Sequence, residues 1–425
     1  MRQMKDSGIE WIGKIPETWE ILPHKRIMRK LKEICFSYSG EDIISLTTNG
    51  VIVRDLNAGG KMPTTFDGYQ YVYPGNLLMC LFDIDVTPRC IGLIKNEGLT
   101  SPAYSQFKFI RKDCHAPYYD YLLRYIDDEK CLLHLSKNLR SSLTEEDFGF
   151  INTVLPPVSD QQRIADYLDS KCGEIDSLIG LQEQMIEKLK AYKQSVITEA
   201  VTKGLDPNAK LVPSGIDWIG EIPEGWLITD IKNMCISITD GSHFSPERQS
   251  EGMPYITAGD IRGKGIDYNN AMRIRKEDYN TLESQGCRPH KGDVLMVKDG
   301  ATTGRVGMMT DNEECVLLSS VAMLTPLPNV DSNYLMYLIQ SNVIQAQIQL
   351  FMAGSAMPRV TLKKINSLKG LLIPLNNQKA IAAYLDEKCA DIDRLIDLKQ
   401  QKIEALKDYK RSVIYEAVTG KTIIE

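Results

Sequence analysis

Two long segments of this chain are one segment written twice. DQQRIADYLDSKCGEIDSLIGLQEQMIEKLKAYKQSVITEAVT, residues 160–202, returns near the C-terminus as NQKAIAAYLDEKCADIDRLIDLKQQKIEALKDYKRSVIYEAVT. Tyr167, Leu168 and Asp169 become Tyr384, Leu385 and Asp386, a shift of 217 positions, and Glu199, Ala200, Val201 and Thr202 become Glu416, Ala417, Val418 and Thr419. A repeat of this length points to one element of the fold used twice. Its apolar spacing is helical. Ile175, Leu178, Gln182, Met185, Leu189, Tyr192 and Val196 step by three and four, the a/d rhythm of a coiled coil, and Ile392, Leu395, Lys399, Lys402, Leu406, Tyr409 and Val413 repeat it. Ile179, Ile186, Ile197 and Ala200 widen the stripe, as do Ile396, Ile403, Ile414 and Ala417, so more than one surface is expected to be covered. Each helix is expected to run roughly 60 Å at 1.5 Å per residue.

A second repeat fixes the order of parts. SGIEWIGKIPETW, from Ser7 to Trp19, returns as SGIDWIGEIPEGW, from Ser214 to Trp226. Each copy precedes a long variable block and each block ends where a repeated helix begins. The blocks read as mixed, with alternation in DIISLTTNGVIVRD, SQFKFI, MPYITAGDI and GDVLMVKDG and helical spacing at 118–134 and 334–351. They close alike: Leu143, Thr144, Phe148, Leu155 and Pro157 align with Val360, Thr361, Ile365, Leu372 and Pro374. The blocks are therefore expected to be diverged copies of one α+β domain, joined by two long antiparallel helices in a pseudo-twofold internal repeat. KGLDPNAKLVPSG, from Lys203 to Gly215, reads as a polar connection after a helix stop at Gly204.

Several function classes drop out. The opening MRQMKDSGIEWIGKIPETWE lacks the apolar core of a secretory signal, and no apolar run approaches membrane-spanning length, so a cytoplasmic protein is expected. The ten cysteines are scattered without a C-x-x-C pair, against zinc ligation or a disulfide framework. The five histidines are too dispersed for a triad or a metal cluster. Leu155, Pro156, Pro157 and Val158 do not make the polar-Pro-Pro-aromatic turn of an adenine methyltransferase. Gly300, Gly304 and Gly307 lack G-x-G-x-x-G spacing, and the Gly420-Lys421-Thr422 ending has Tyr415 where a P-loop needs glycine. No catalysis, cofactor or metal is expected of this chain alone. A net charge of −6 and a pI near 5.6 also count against a protein that coats nucleic acid without specificity.

Two alike domains on a pair of rigid helices suit a bipartite double-stranded DNA target, whose equivalent faces recur about every 34 Å. Base and phosphate contacts would come from polar and basic loops. In the first block these are Thr47, Thr48, Asn49, Lys61, Arg89 and the run Lys137, Asn138, Leu139, Arg140, Ser141, Ser142. In the second they are Ser242, His243, Arg262, Lys264, Lys298, Thr302, Thr303, Arg305 and Arg359. Arg140 and Arg359 stand out because they occupy nearly equivalent positions ahead of the matched closing segments. His243, beside Gly241, reads equally as a contact and as a turn residue.

With these residues in view, the chain resembles the specificity subunits of type I restriction–modification enzymes over essentially its whole length. The resemblance is carried by SGIEWIGKIPETW and SGIDWIGEIPEGW, by VSDQQRIADYLDSKCGEID and NNQKAIAAYLDEKCADID, by the repeated YKxSVIxEAVT, and in the second block by DGSH, MPYITAGDIRGKGI and GDVLMVKDGATTG. It implies target-recognition domains at 1–156 and 204–373 and conserved spacer helices at 157–203 and 374–425. It further implies two methyltransferase (modification) subunits docked on the helices and bringing AdoMet, and restriction subunits bringing ATP and Mg. The first block departs from the pattern: it lacks a DGxH turn, and Asn138 stands where glycine is frequent. A coiled-coil scaffold whose blocks bind proteins rather than DNA is the alternative, favoured slightly by the acidic pI.

Overall fold

Each long helix is continuous and each serves two bodies. The computed structural model describes residues 3–48, 50–57, 63–87, 89–136, 141–352 and 358–424. They divide into a first unit, Met1–Gln182 with Gln401–Glu425, and a second, Glu183–Gln400.

In the first unit, β1 (Met28–Leu31), β2 (Leu77–Met79), β3 (Ile91–Leu93) and β4 (Ser105–Phe109) form an antiparallel sheet in the order β1-β4-β2-β3. Its core gathers Leu77, Met79, Ile91 and Phe107 with Tyr118, Tyr119 and Leu122 of helix α1 (Ala116–Asp128). Helix α2 (Val158–Lys203) follows the strand Asn152–Leu155. In the second unit, β5 (Cys235–Asp240), β6 (Val294–Val297), β7 (Val306–Met308) and β8 (Val321–Pro326) repeat the antiparallel order as β5-β8-β6-β7. Val294, Met296 and Leu324 pack with Tyr334, Tyr337 and Leu338 of α3 (Ser332–Gln340), and α4 (Leu375–Val418) follows the strand Lys369–Leu372. Thr144 and Thr361 both N-cap the short helix before the closing strand, accepting from Asp147 N at 3.0 Å and Lys364 N at 3.4 Å. The expected duplication of an α+β block is present strand for strand in this four-stranded sheet, while the smaller sheets beside it differ between the blocks.

The helical reading over 334–351 resolves into two helices, because Ser341 leaves the helical region at ψ 154°. Side chains of α2 make the break tolerable: Gln194 Nε2 donates to Gln340 O at 2.6 Å and Thr198 Oγ1 accepts from Asn342 N at 2.9 Å. Over 118–134 the helix ends at Asp128, and Lys130 turns left-handed before a 3-10 turn at Cys131–Leu135.

Each unit's core takes the start of one long helix and the end of the other. Ile164, Leu168 and Cys172 of α2 meet Val413, Ile414, Ala417 and Val418 of α4 in the first unit; Ile381, Leu385 and Cys389 of α4 meet Ile197, Ala200 and Val201 of α2 in the second. The helices are antiparallel. Lys410 Nζ pairs with Asp176 in the first unit and Lys193 Nζ with Asp393 in the second, both at 2.7 Å, so α2 advances from 176 to 193 as α4 retreats from 410 to 393. The two ion pairs are the same pair under the 217-position repeat.

The seam differs from the expected stripe at alternate positions. Ile175, Gln182 and the widening Ile186 are buried as expected, but Leu178, Met185 and Tyr192 are exposed. In the second copy Ile392 and Val413 are buried, Leu395, Lys402 and Tyr409 are exposed and Ile403 is buried. Both stripes share their first positions and then step by three or by four, so periodicity fits either. The partner helix selects the isoleucines. No helix among the described residues is long and apolar enough to cross a membrane, and all ten cysteines are free thiols.

Candidate nucleic-acid interface

Rigid frames hold the loops. At the head of α2, Gln161 is fully buried: Nε2 donates to Pro156 O at 2.7 Å and Asp113 O at 2.8 Å, and Oε1 accepts from His115 N at 2.7 Å. Gln378, its repeat in α4, donates to Ile373 O at 2.8 Å and Asn329 O at 3.2 Å and accepts from Asp331 N at 2.7 Å. About two turns further on, Tyr121 donates to Asp169 at 2.7 Å in the first unit and Tyr337 to Asp386 at 2.8 Å in the second. The sequence reading passed over the glutamines, although they lie inside the repeat at matching places. Each clip motif covers a helix end. A Cβ on Gly420 (φ +69°) would strike the Trp19 ring at 2.8 Å, and one on Gly204 (φ +77°) would lie 3.2 Å from Trp226, so glycine both turns the chain left-handed and admits the indole.

In the second unit three loops converge beyond the sheet. Gly241 approaches Leu317 so closely that a Cβ would lie 2.1 Å from the carbonyl oxygen, which fixes the DGSH turn. Ser242 is buried and its Oγ accepts from Phe244 N at 2.9 Å, so it shapes the turn, while His243 is exposed with Nε2 3.8 Å from Asp240 Oδ2. The β6–β7 loop folds on itself through Thr303 Oγ1, which donates to Gly300 O at 2.7 Å. It is stitched to the segment before the second short helix by Gly300 N donating to Pro358 O at 2.9 Å and Val360 N to Lys298 O at 2.8 Å. Lys298 is only 2% exposed and faces Asp299 at 2.9 Å and Asp240 at 3.2 Å. Arg305 is exposed, with Nη1 donating to Ile261 O at 3.2 Å; Arg262, also exposed, lies 3.4 Å from Asp267. Thr302 is half-buried. His243, Lys298, Thr302, Thr303, Arg305 and Arg359 are thus brought together. Lys264 is drawn off instead, bonded to Asp386 of α4 at 2.6 Å with its ammonium over the Tyr337 ring.

In the first unit Thr47 and Thr48 lie at the tip of the hairpin Ile44–Thr47 and Gly50–Val53, with Thr47 Oγ1 donating to Gly50 O at 3.0 Å. Arg89 comes to the same tip, since a Cβ on Gly50 would lie 3.4 Å from its Nη1. Burial lowers the Arg89 pKa, and the nearby Arg124 adds to that effect. Ser142 lines a groove of about 510 Å³ with Phe82, Ser105, Glu145 and Glu146. Ser141 has a left-handed backbone at φ 41°. Asn49, Lys61, Lys137, Asn138, Leu139 and Arg140 lie outside the described residues. Leu143 N donates to Leu81 O at 2.8 Å, as Val360 N does to Lys298 O, so by register Ser142 is the counterpart of Arg359 and Arg140 stands two positions earlier.

Among the described residues no group of three or more His, Cys, Asp or Glu could hold a metal ion. Residues 223–408 match the type I restriction modification DNA specificity domain. A protein of Methanocaldococcus jannaschii provisionally named the MjaX type I restriction enzyme specificity subunit is 25% identical, covering 96% of this chain and 95% of its own length. The MjaVIII specificity subunit of the same organism is 26% identical over 64% of this chain and 63% of its own. The EcoBI specificity subunit of Escherichia coli is 24% identical over 63% and 57%. A solved structure described as the basis of complex assembly and conformational transition of the type I R-M system has the same fold, with a TM-score of 0.70 at 16% identity, covering 96% of this chain and 99% of that one. The chain is thus similar to type I restriction–modification specificity subunits, and its residues 223–408 match their DNA specificity domain.

Proposed function

We propose that this chain is the DNA-recognising and assembling subunit of a type I restriction–modification complex, with no catalysis of its own. Blocks 1–156 and 204–373 each read one half of a bipartite, asymmetric target. The helices at 157–203 and 374–425 set the gap between the halves and dock two methyltransferase subunits. AdoMet would be held by those subunits, ATP and Mg by the restriction subunits.

The observation that carries this reading is a pair of like frames bearing unlike loops. The buried glutamine, the Tyr–Asp contact and the seam ion pair all recur, whereas Lys298 is matched by Leu81 and Arg359 by Ser142. Docking is supported by apolar side chains left exposed at matching places: Leu178, Leu181 and Tyr409 in the first unit, Leu395, Leu398 and Tyr192 in the second. A patch present twice suits two copies of one partner. In the second unit a groove of about 630 Å³ opens beside Tyr192, between Val196, Leu205, Leu211 and Tyr384.

The test is retention of one defined duplex from a random pool. The chain with its methyltransferase subunits should retain it, with affinity falling steeply as salt rises, and the chain alone should hold DNA weakly. Capture of proteins by the blocks, with no duplex selected by the assembled complex, would favour the protein-binding scaffold.

A further inference from the structure

Lys298 extends the buried run Val294–Val297 and is itself buried, a position tolerable for an ammonium only when it is paired. It donates to Asp299 Oδ2 and also holds Asp240. Asp299 turns its other oxygen toward Arg359 Nε at 3.0 Å, bent from the line of an ideal hydrogen bond. Asp299 and Arg359 also pair through their backbones. The arginine is therefore fixed at its main chain and its Nε is engaged. Its side chain is 58% exposed, and its two terminal nitrogens make no hydrogen bond among the described residues.

We propose that Arg359 reads a guanine in the half-site of the second block, with Asp299 as its buttress and Lys298 as the buried anchor of that buttress. The inference rests on the reading of the blocks as DNA-recognition domains. A guanidinium fork matches the O6 and N7 acceptors that guanine presents in the major groove, whereas adenine offers a donor at the first of those places. A carboxylate on Nε leaves the terminal nitrogens for the base and holds the fork's plane, which reduces the freedom lost on binding. Among the described residues the first block has no such device. Register puts Leu81 in the place of Lys298 and Phe82 in that of Asp299. The guanine requirement set by this device therefore belongs to the second half-site. Lys298 and Asp299 act through Arg359 and are positioning residues.

The complex of the full chain with its methyltransferase subunits is presented with duplexes randomised at each target position, using wild type, Arg359→Ala, Asp299→Asn and Lys298→Met. One guanine of the second half-site should be essential for wild type. Arg359→Ala should accept any base there, losing about 5- to 150-fold in selectivity at that position and none elsewhere. Asp299→Asn and Lys298→Met should relax the same position in part. Placing 7-deazaguanine there should weaken wild type and leave Arg359→Ala unchanged. A second half-site without guanine, relaxation at another position, or uniform weakening would overturn the proposal. Because Arg359 is exposed, its variant tests the idea even if Lys298→Met fails to fold. Failure of the wild-type complex to select any duplex would instead remove the DNA-recognition reading on which the proposal stands.

Discussion

Gln161 and Gln378 each join the head of a long helix to its block through three buried hydrogen bonds. Gln378→Ala would strand two carbonyls and an amide, and should cost about 3 kcal/mol of stability; Gln161→Ala should cost the same because its partners are equivalent. Urea midpoints of the two variants check this, and a loss confined to one would contradict the equivalence. His24 gives a pH dependence. It is buried and stacked on Phe148 at 4.4 Å, and burial lowers its pKa from 6.5 to about 4. Between those values the unfolded chain binds a proton that the folded chain refuses. Its contribution, about 3 kcal/mol, is thus fully present above pH 6.5 and is lost as pH falls toward 4. Thermal melts of His24→Phe should show a weaker decline across that window. At this scale the sequence was only partly legible. The DGSH turn and the stop at Gly204 could be read because backbone geometry dictates glycine there. Lys298 read as a loop charge, although the buried run VLMV ahead of it and the aspartate after it were the sign of an interior ion pair.

For the helices, repetition was legible and the choice of seam was not. The repeat announced two copies of one helix, and helical spacing announced an apolar stripe. Spacing put Leu178 and Met185 under cover along with the widening Ile186, and only Ile186 is buried, because which of the overlapping stripes faces the partner depends on that partner's surface. The error has a functional consequence, because the leucines left outside are the proposed docking residues. Leu178→Asp with Leu181→Asp, or Leu395→Asp with Leu398→Asp, should each reduce the methyltransferase subunits bound per chain from two to one. Native mass spectrometry reads that stoichiometry, and an unchanged count would remove this surface from the docking model. The Asp176–Lys410 and Lys193–Asp393 pairs should matter less. Both involve a carboxylate half open to solvent, and a double-mutant cycle on either should give about 0.5 kcal/mol or less.

At the scale of the whole molecule, two copies of one sheet, one short capped helix and one buried glutamine frame loops that share almost nothing. The frames were readable because packing constrains them in both copies. The loops were not, because divergence there erased the internal comparison that made the frames visible. The account's central claim is one reader per block, and exchange of a block tests it most directly. Residues 230–373 are replaced by the matching block of a similar specificity subunit, and methylated adenines are mapped across the genome of cells carrying the hybrid with its methyltransferase. The account predicts a target in which one half is new while the other half and the gap are unchanged; a change in both halves would contradict it.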